Sequence, residues 1–211
     1  MVSEPVIVDA QQITDLFDID YIMEQLMHMD YETMKGLTPE QEGTVEQWVE
    51  LAEEYPEMYR LLMVGKEIAG YWNIVCLDDG HFERMKNGNM RDSDITHATA
   101  QPLSGKGRYN GYFLSINLLP SFRTSKNLML LMDSFFEQLE IYANRGIYFS
   151  RWCANAYTRE GRAMCKFIGL SYACDNISGG EIYYAESAGM LEGQLLARYP
   201  GLLKLYKEEF K

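Results

Sequence analysis

The stretch Leu118-Leu119-Pro120-Ser121-Phe122-Arg123 leads from an apolar run into a helix start and carries residue types that hold an anion. Pro120 ends the run. Thr124 or Ser125 can cap the following helix, whose first turn holds Ser125, Lys126, Asn127 and Leu128. A helix start offers unpaired N–H groups and the positive end of a dipole, and Arg123 and Lys126 add charge beside it. That combination suits a diphosphate. The plainer alternatives are that Arg123 pairs with a carboxylate and that the hydroxyls only cap, which is worth about 1 kcal/mol. A second group follows downstream. Asn155 and Tyr157 lie close in sequence to Arg162, Cys165 and Lys166. Tyr157 brings a phenol, and Cys165 a thiol whose neighbouring bases favour the thiolate. Both residues are also ordinary packing types.

Other chemistry-bearing patterns fall away. Gly105-Lys106-Gly107-Arg108 precedes a strand and has no hydroxyl residue after its lysine, so it is not a phosphate loop. His28, His81 and His97 lie in separate segments without ligand spacing, and no metal is expected. No G-x-S-x-G elbow occurs. The four cysteines (Cys76, Cys153, Cys165, Cys174) form no C-x-x-C pair and read as reduced thiols of a cytoplasmic protein.

The elements that must position these residues are those of a globular chain. It has 211 residues, 47% hydrophobic and 24% charged, enough for one sizeable core. No apolar run reaches the roughly 18 residues that cross a bilayer. The first residues, MVSEPVIVDAQQ, lack the pattern of an export signal. The formal net charge of −12 argues against a nucleic-acid binder. It is unevenly spread: residues 1–64 hold 15 acids and two bases, whereas residues 120–170 hold seven bases and four acids. Either the chain has a cation-preferring and an anion-preferring site, or these are solvated faces that keep it soluble.

Along the chain, Pro5–Asp9 reads as a strand, and Ile13 to Met29 as one broken helix or two short ones. Thr38-Pro39-Glu40-Gln41 starts a helix whose apolar face is Val45, Trp48, Val49 and Ala52, with Pro56 as its stop. Tyr59–Val64 and Glu67–Leu77 form a hairpin about Gly65-Lys66. Residues 78–108 read as a long polar connection with one helical turn after Asp92. Tyr109–Leu119 is a central strand. A helix to about Asn144 follows, with Gly146 as its left-handed cap. Ile147–Cys153 is a strand, Thr158–Phe167 a short helix, and Leu170–Asp175 with Glu181–Glu186 a second hairpin. The tail from Met190 is helical with a break at Pro200. The expectation is an α/β chain of mixed α+β type around one mostly antiparallel sheet, with the whole of 1–211 as a single domain: an acidic helical part over 1–58, the 78–108 connection and a tail over 189–211.

The segment from about 112 to 172, with the Leu118–Arg123 sequence and Gly161-Arg162-Ala163-Met164-Cys165-Lys166-Phe167-Ile168-Gly169-Leu170, resembles the GNAT superfamily of acyl-CoA-dependent N-acyltransferases. The order of elements fits that resemblance over nearly the whole chain. It implies a GNAT-like sheet with splayed central strands and acetyl-CoA as cosubstrate. It implies that Leu118, Arg123, Thr124, Ser125, Lys126, Asn127, Leu128, Asn155 and Arg162 bind the coenzyme. It further implies that the Leu118 N–H polarises the thioester carbonyl, and that Tyr157 or Cys165 serves as the acid.

The sequence departs from the family pattern in three places. Lys126 and Leu128 stand where small residues are usual. Cys165 occupies the slot of an acid tyrosine and Thr158 that of an asparagine, with Asn155 and Tyr157 close by. Ser115 and Asn117 stand where relatives often carry a glutamate base. The resemblance therefore implies an acetyltransferase acting on a primary amine. A non-catalytic acyl-CoA-binding module and a fold remnant used as an interaction surface are the alternatives. The acidic N-terminal part favours a cationic acceptor, a small molecule or a peptide. No nucleic acid or membrane partner is expected, and the chain is expected as a monomer or homodimer.

Overall fold

A computed structural model describes residues 4–187 and 196–211. Seven strands, β1 (Pro5–Val8), β2 (Tyr59–Val64), β3 (Glu67–Leu77), β4 (Gly107–Leu118), β5 (Ile147–Ala156), β6 (Ser171–Asp175) and β7 (Glu181–Glu186), form one sheet in the order β1-β2-β3-β4-β5-β7-β6. The helices are α1 (Ala10–Leu16), α2 (Ile19–Thr33), α3 (Pro39–Glu42), α4 (Val45–Glu54), α5 (Asp79–Lys86), α6 (Ser125–Asn144), α7 (Arg159–Phe167) and α8 (Pro200–Glu209). The chain groups into two compact units. The first draws on Met1–Ile74, Asp92–Ala98 and Leu114–Phe135, the second on Val75–Arg91, Thr99–Phe113 and Phe136–Lys211. Among the described residues no helix is long and apolar enough to cross a membrane.

In the first unit, β1 and β2 pair antiparallel, as do β2 and β3 through the turn opened by Gly65 at φ +64°. The helical period of Ile22, Met23, Leu26 and Met29 buries one side of α2, and Trp48, Leu51 and Ala52 bury one side of α4. The helix expected from Thr38 is two helices. The Thr38 N–H donates to Gln41 Oε1 at 2.8 Å. Gly43, at φ +89°, then ends α3, and Thr44 caps α4 by accepting from the Gln47 amide.

In the second unit, β4 and β5 pair in parallel from Gly107↔Ile147 to Phe113↔Ala154. A parallel pair needs a crossover, which the long helix α6 supplies. The core here is aromatic: Tyr112, Tyr142, Phe149, Trp152, Tyr183 and Tyr206 are all buried. Gly111 faces Trp152 so closely that a Cβ would stand 2.4 Å from its ring.

The expected structureless connection over 78–108 is corrected. Asp78 accepts from the His81 amide and starts α5, whose Phe82 and Met85, one turn apart, are fully buried. The segment is polar enough to mask that two-residue apolar stripe. The helical turn after Asp92 is present as a 3-10 turn over Asp92–Asp94. Of the expected C-terminal tail, residues 188–195 lie outside the described residues; α8 begins at Pro200 as its first-turn residue.

Candidate functional site

The junction between β4 and α6 lies in the first unit and gathers Leu118, Arg123 and the run Thr124–Leu128. Leu119 donates its N–H to the Ala69 carbonyl of β3 at 3.0 Å. Gly70 makes this close approach possible, because a Cβ there would sit 2.6 Å from the Asn117 carbonyl oxygen. Pro120–Phe122 form a 3-10 turn, and the Arg123 Nε donates to the Leu118 carbonyl at 2.9 Å. Arg123 is thereby aimed along the turn while its residue stays exposed. Thr124 is the cap: its Oγ1 accepts from the Asn127 amide at 3.1 Å. Asn127 is buried and its Nδ2 holds the Phe122 carbonyl at 2.9 Å. The N–H groups of Ser125 and Lys126 have no acceptor among the described residues, and both residues are exposed. The turn thus presents two amide donors beside two cations, with the Lys126 side chain at the surface and Leu128 half-buried.

The Leu118 N–H donates to Asn117 Oδ1 at 2.8 Å. Asn117 Nδ2 in turn donates to Asp30 Oδ1 at 2.7 Å and to Thr33 Oγ1 at 2.6 Å. Tyr71 donates its hydroxyl to Asp30 Oδ2. Asp30 is 5% exposed, and burial raises its carboxyl from 3.8 to about 6 against the lowering effect of its donors. Glu42 hydrogen-bonds Asp30; burial and then the charges of Asp30 and Asp92 raise its carboxyl from 4.5 to about 9. Around neutral pH a protonated Glu42 therefore donates to an ionised Asp30. Burial also holds the Tyr71 hydroxyl well above its usual value.

Sequence reasoning missed Asp30, Glu42 and Tyr71. Their type gave no signal, since Asp30 and Glu42 sit among 15 acids of residues 1–64. A usable signal was position: Asp30 falls one residue after the buried Met29 of α2, at the edge of that helix's apolar stripe. Asn117 stands out in the sequence only as taking the place of a glutamate base.

The remaining candidates lie in the second unit. Asn155 and Tyr157 come together at the end of β5 with the β6–β7 turn. Asn155 Nδ2 donates to the Gly179 carbonyl at 3.3 Å, and its buried Oδ1 has no hydrogen-bond partner. The Tyr157 hydroxyl lies 3.1 Å from Ser178 Oγ. Ser178 Oγ donates to Asn176 Oδ1 at 2.6 Å, so Tyr157 is the donor in its own contact with Ser178. On α7, capped by Thr158, Arg162 pairs with Glu181 at 3.2 Å. Cys165 is buried and desolvation pushes its thiol up to about 12, so it stays protonated at neutral pH. The neighbours Arg162 and Lys166 do not draw it toward thiolate. Among the described residues no three His, Cys, Asp or Glu side chains converge as a metal site.

No protein-family model matches the chain, and no curated protein matches it in sequence. Solved structures do match in fold. The loading GNATL domain of CurA from Lyngbya majuscula is 12% identical, with 87% of this chain and 98% of that one covered and a TM-score of 0.57. Ard1 from Thermoplasma volcanium is 12% identical over 86% of this chain and 97% of that one, with a TM-score of 0.51. A chain of the NatC complex bound to Gag peptide and CoA is 9% identical over 86% and 96%, with a TM-score of 0.50. At such identities the likeness is one of fold: this chain has the GNAT fold.

Proposed function

We propose that the chain, 1–211 as a single domain, is a cytoplasmic N-acetyltransferase that moves the acetyl group of acetyl-CoA to a primary amine. The observation that carries this reading is the β4–α6 junction on a GNAT fold, where the acceptor-free amides of Ser125 and Lys126 and the exposed residues Arg123 and Lys126 meet at one helix start. A diphosphate is the ligand such a turn suits. The absence of the usual glycines at Lys126 and Leu128 leaves the backbone donors in place, because amides rather than side chains make that contact.

In the reaction the amine nitrogen attacks the thioester carbonyl carbon. The ammonium first gives one proton to solvent, which frees its lone pair; a C–N bond then forms, the C–S bond breaks, and the second proton lost by the nitrogen is balanced by the one that the thiolate takes up. The Leu118 N–H stabilises the oxyanion. Cys165 is set aside as the acid, because burial pushes its thiol up to about 12, and Tyr157 is the candidate that remains. The acceptor is a cationic amine such as a polyamine, an aminoglycoside or a basic peptide end. The acidic excess of residues 1–64 supports that class.

A second reading, an acyl-CoA-binding module without efficient turnover, is favoured by one contact: the Leu118 N–H is already taken by Asn117 Oδ1. Free-thiol release from acetyl-CoA across an amine panel separates the two. Turnover with at least one cationic amine, abolished in Arg123→Glu, supports the enzyme. Binding without turnover supports the module. Turnover untouched by Arg123→Glu removes the assigned phosphate site.

A further inference from the structure

Successive amides of a strand point to opposite edges. Leu119 donates to Ala69 on β3, so the Leu118 N–H points to the other edge of β4. The described ladder of β4 with β5 ends at Phe113↔Ala154, five residues short of Leu118. At that edge the acceptor is no strand carbonyl but the side chain of the preceding residue, Asn117 Oδ1 at 2.8 Å. We propose that Asn117 is a positioning residue for this amide: its side-chain carbonyl holds the Leu118 N–H in the free protein and gives way to the carbonyl of an arriving acyl thioester. The inference rests on the reading of Leu118 as the thioester-polarising donor.

The orientation of the carboxamide follows from its partners. The Leu118 N–H can only donate, so Oδ1 faces it. Nδ2 must then face acceptors, and it finds Asp30 Oδ1 and Thr33 Oγ1. The Thr33 hydroxyl donates onward to the Met29 carbonyl at 2.8 Å, which leaves its oxygen free to accept. Asn117 is 8% exposed, so the clamp is held away from solvent. A thioester carbonyl and the Asn117 carbonyl compete for one proton. Affinity for an acyl thioester is reduced by the fraction of molecules in which that proton is occupied. Coenzyme A with a free thiol brings no carbonyl and does not compete. Asn117 therefore sets the difference in affinity between the acylated and the free coenzyme.

Calorimetric titration of the full chain with acetyl-CoA and with CoA tests this. Asn117→Ala is expected to tighten acetyl-CoA binding about fivefold, the net worth of one hydrogen bond, with little change for CoA. Thr33→Val removes one of the two anchors without creating a cavity. It is expected to move the ratio of the two affinities the same way by less, and it serves if Asn117→Ala does not fold. An equal shift for both ligands, or an unchanged ratio, overturns the role of Asn117 and leaves the proposed function standing. A wild-type chain that binds neither ligand overturns the function and this inference with it.

Discussion

Glu42→Gln tests whether a proton is shared inside the first unit. Burial raises the folded-state values of both partners, Asp30 from 3.8 to about 6 and Glu42 from 4.5 to about 9. The folded chain therefore keeps protons that the unfolded chain releases. Stability from such a pair is complete below the unfolded values and is lost as pH rises through the folded ones. At pH 6 Asp30 is about half ionised in the folded state, and by pH 7 it is largely ionised in both states, whereas across pH 6 to 8 Glu42 is protonated in the folded state alone. One proton of difference costs up to about 1.4 kcal/mol per pH unit. Across that span the wild type should lose up to about 3 kcal/mol, a fall in Tm of roughly 5–10 °C for a chain of this length. Glutamine keeps a donor toward Asp30 and cannot titrate, so Glu42→Gln should lose far less. The assay is thermal unfolding of both chains at pH 6, 7 and 8, read as the difference between them so that other titrations cancel. Trp48 fluorescence gives a local reading, because its indole donates to the Glu42 carbonyl at 3.0 Å. Parallel Tm–pH lines for the two chains would refute the shared proton.

Two further outcomes follow from the second unit. With a disulfide reagent at pH 8 the native chain should label Cys174 at most, since Cys76, Cys153 and Cys165 are buried, and urea should release all four thiols; rapid labelling of Cys165 in the native chain would contradict its burial. Arg151 spans Asn110 Oδ1 at 2.9 Å, Glu83 Oε1 at 2.5 Å and Asp79 Oδ1 at 2.7 Å, with its guanidinium over the Phe82 ring. Arg151→Lys cannot reproduce that fork and should cost about 1–2 kcal/mol by urea unfolding, chiefly through the buried Asn110, because the exposed Asp79 contributes little.

What the sequence disclosed depended on whether local chemistry decided the outcome. Gly65 and Gly146 take positive φ where a turn and a helix end demand it, and the Thr38–Gln41 and Thr158 starts formed because their partners lie within three residues. The β4–α6 junction was legible for the same reason: Pro120, Thr124 and Arg123 act on neighbours. Helix α5 was hidden because two buried residues in eight, Phe82 and Met85, leave no periodic pattern among polar ones. The break at Gly43 is masked in the sequence by the strong cap before it and the apolar face after it.

The acids of residues 1–64 show the harder limit. A carboxylate on a solvated helix and one buried against Tyr71 and Asn117 are the same letter, and what separates them is tertiary contact across 41 and 87 positions of chain. Net charge pointed to a cation-preferring region but could not say that Asp30 and Glu42 hold a proton between them. That distinction bears on function through one side chain. Asn117 ties the ionised Asp30 to the Leu118 amide, so charge at Asp30 tightens the grip of Asn117 Nδ2 and steadies its Oδ1 on the amide. The acidic interior and the strand-end donor are therefore two ends of one hydrogen-bonded chain.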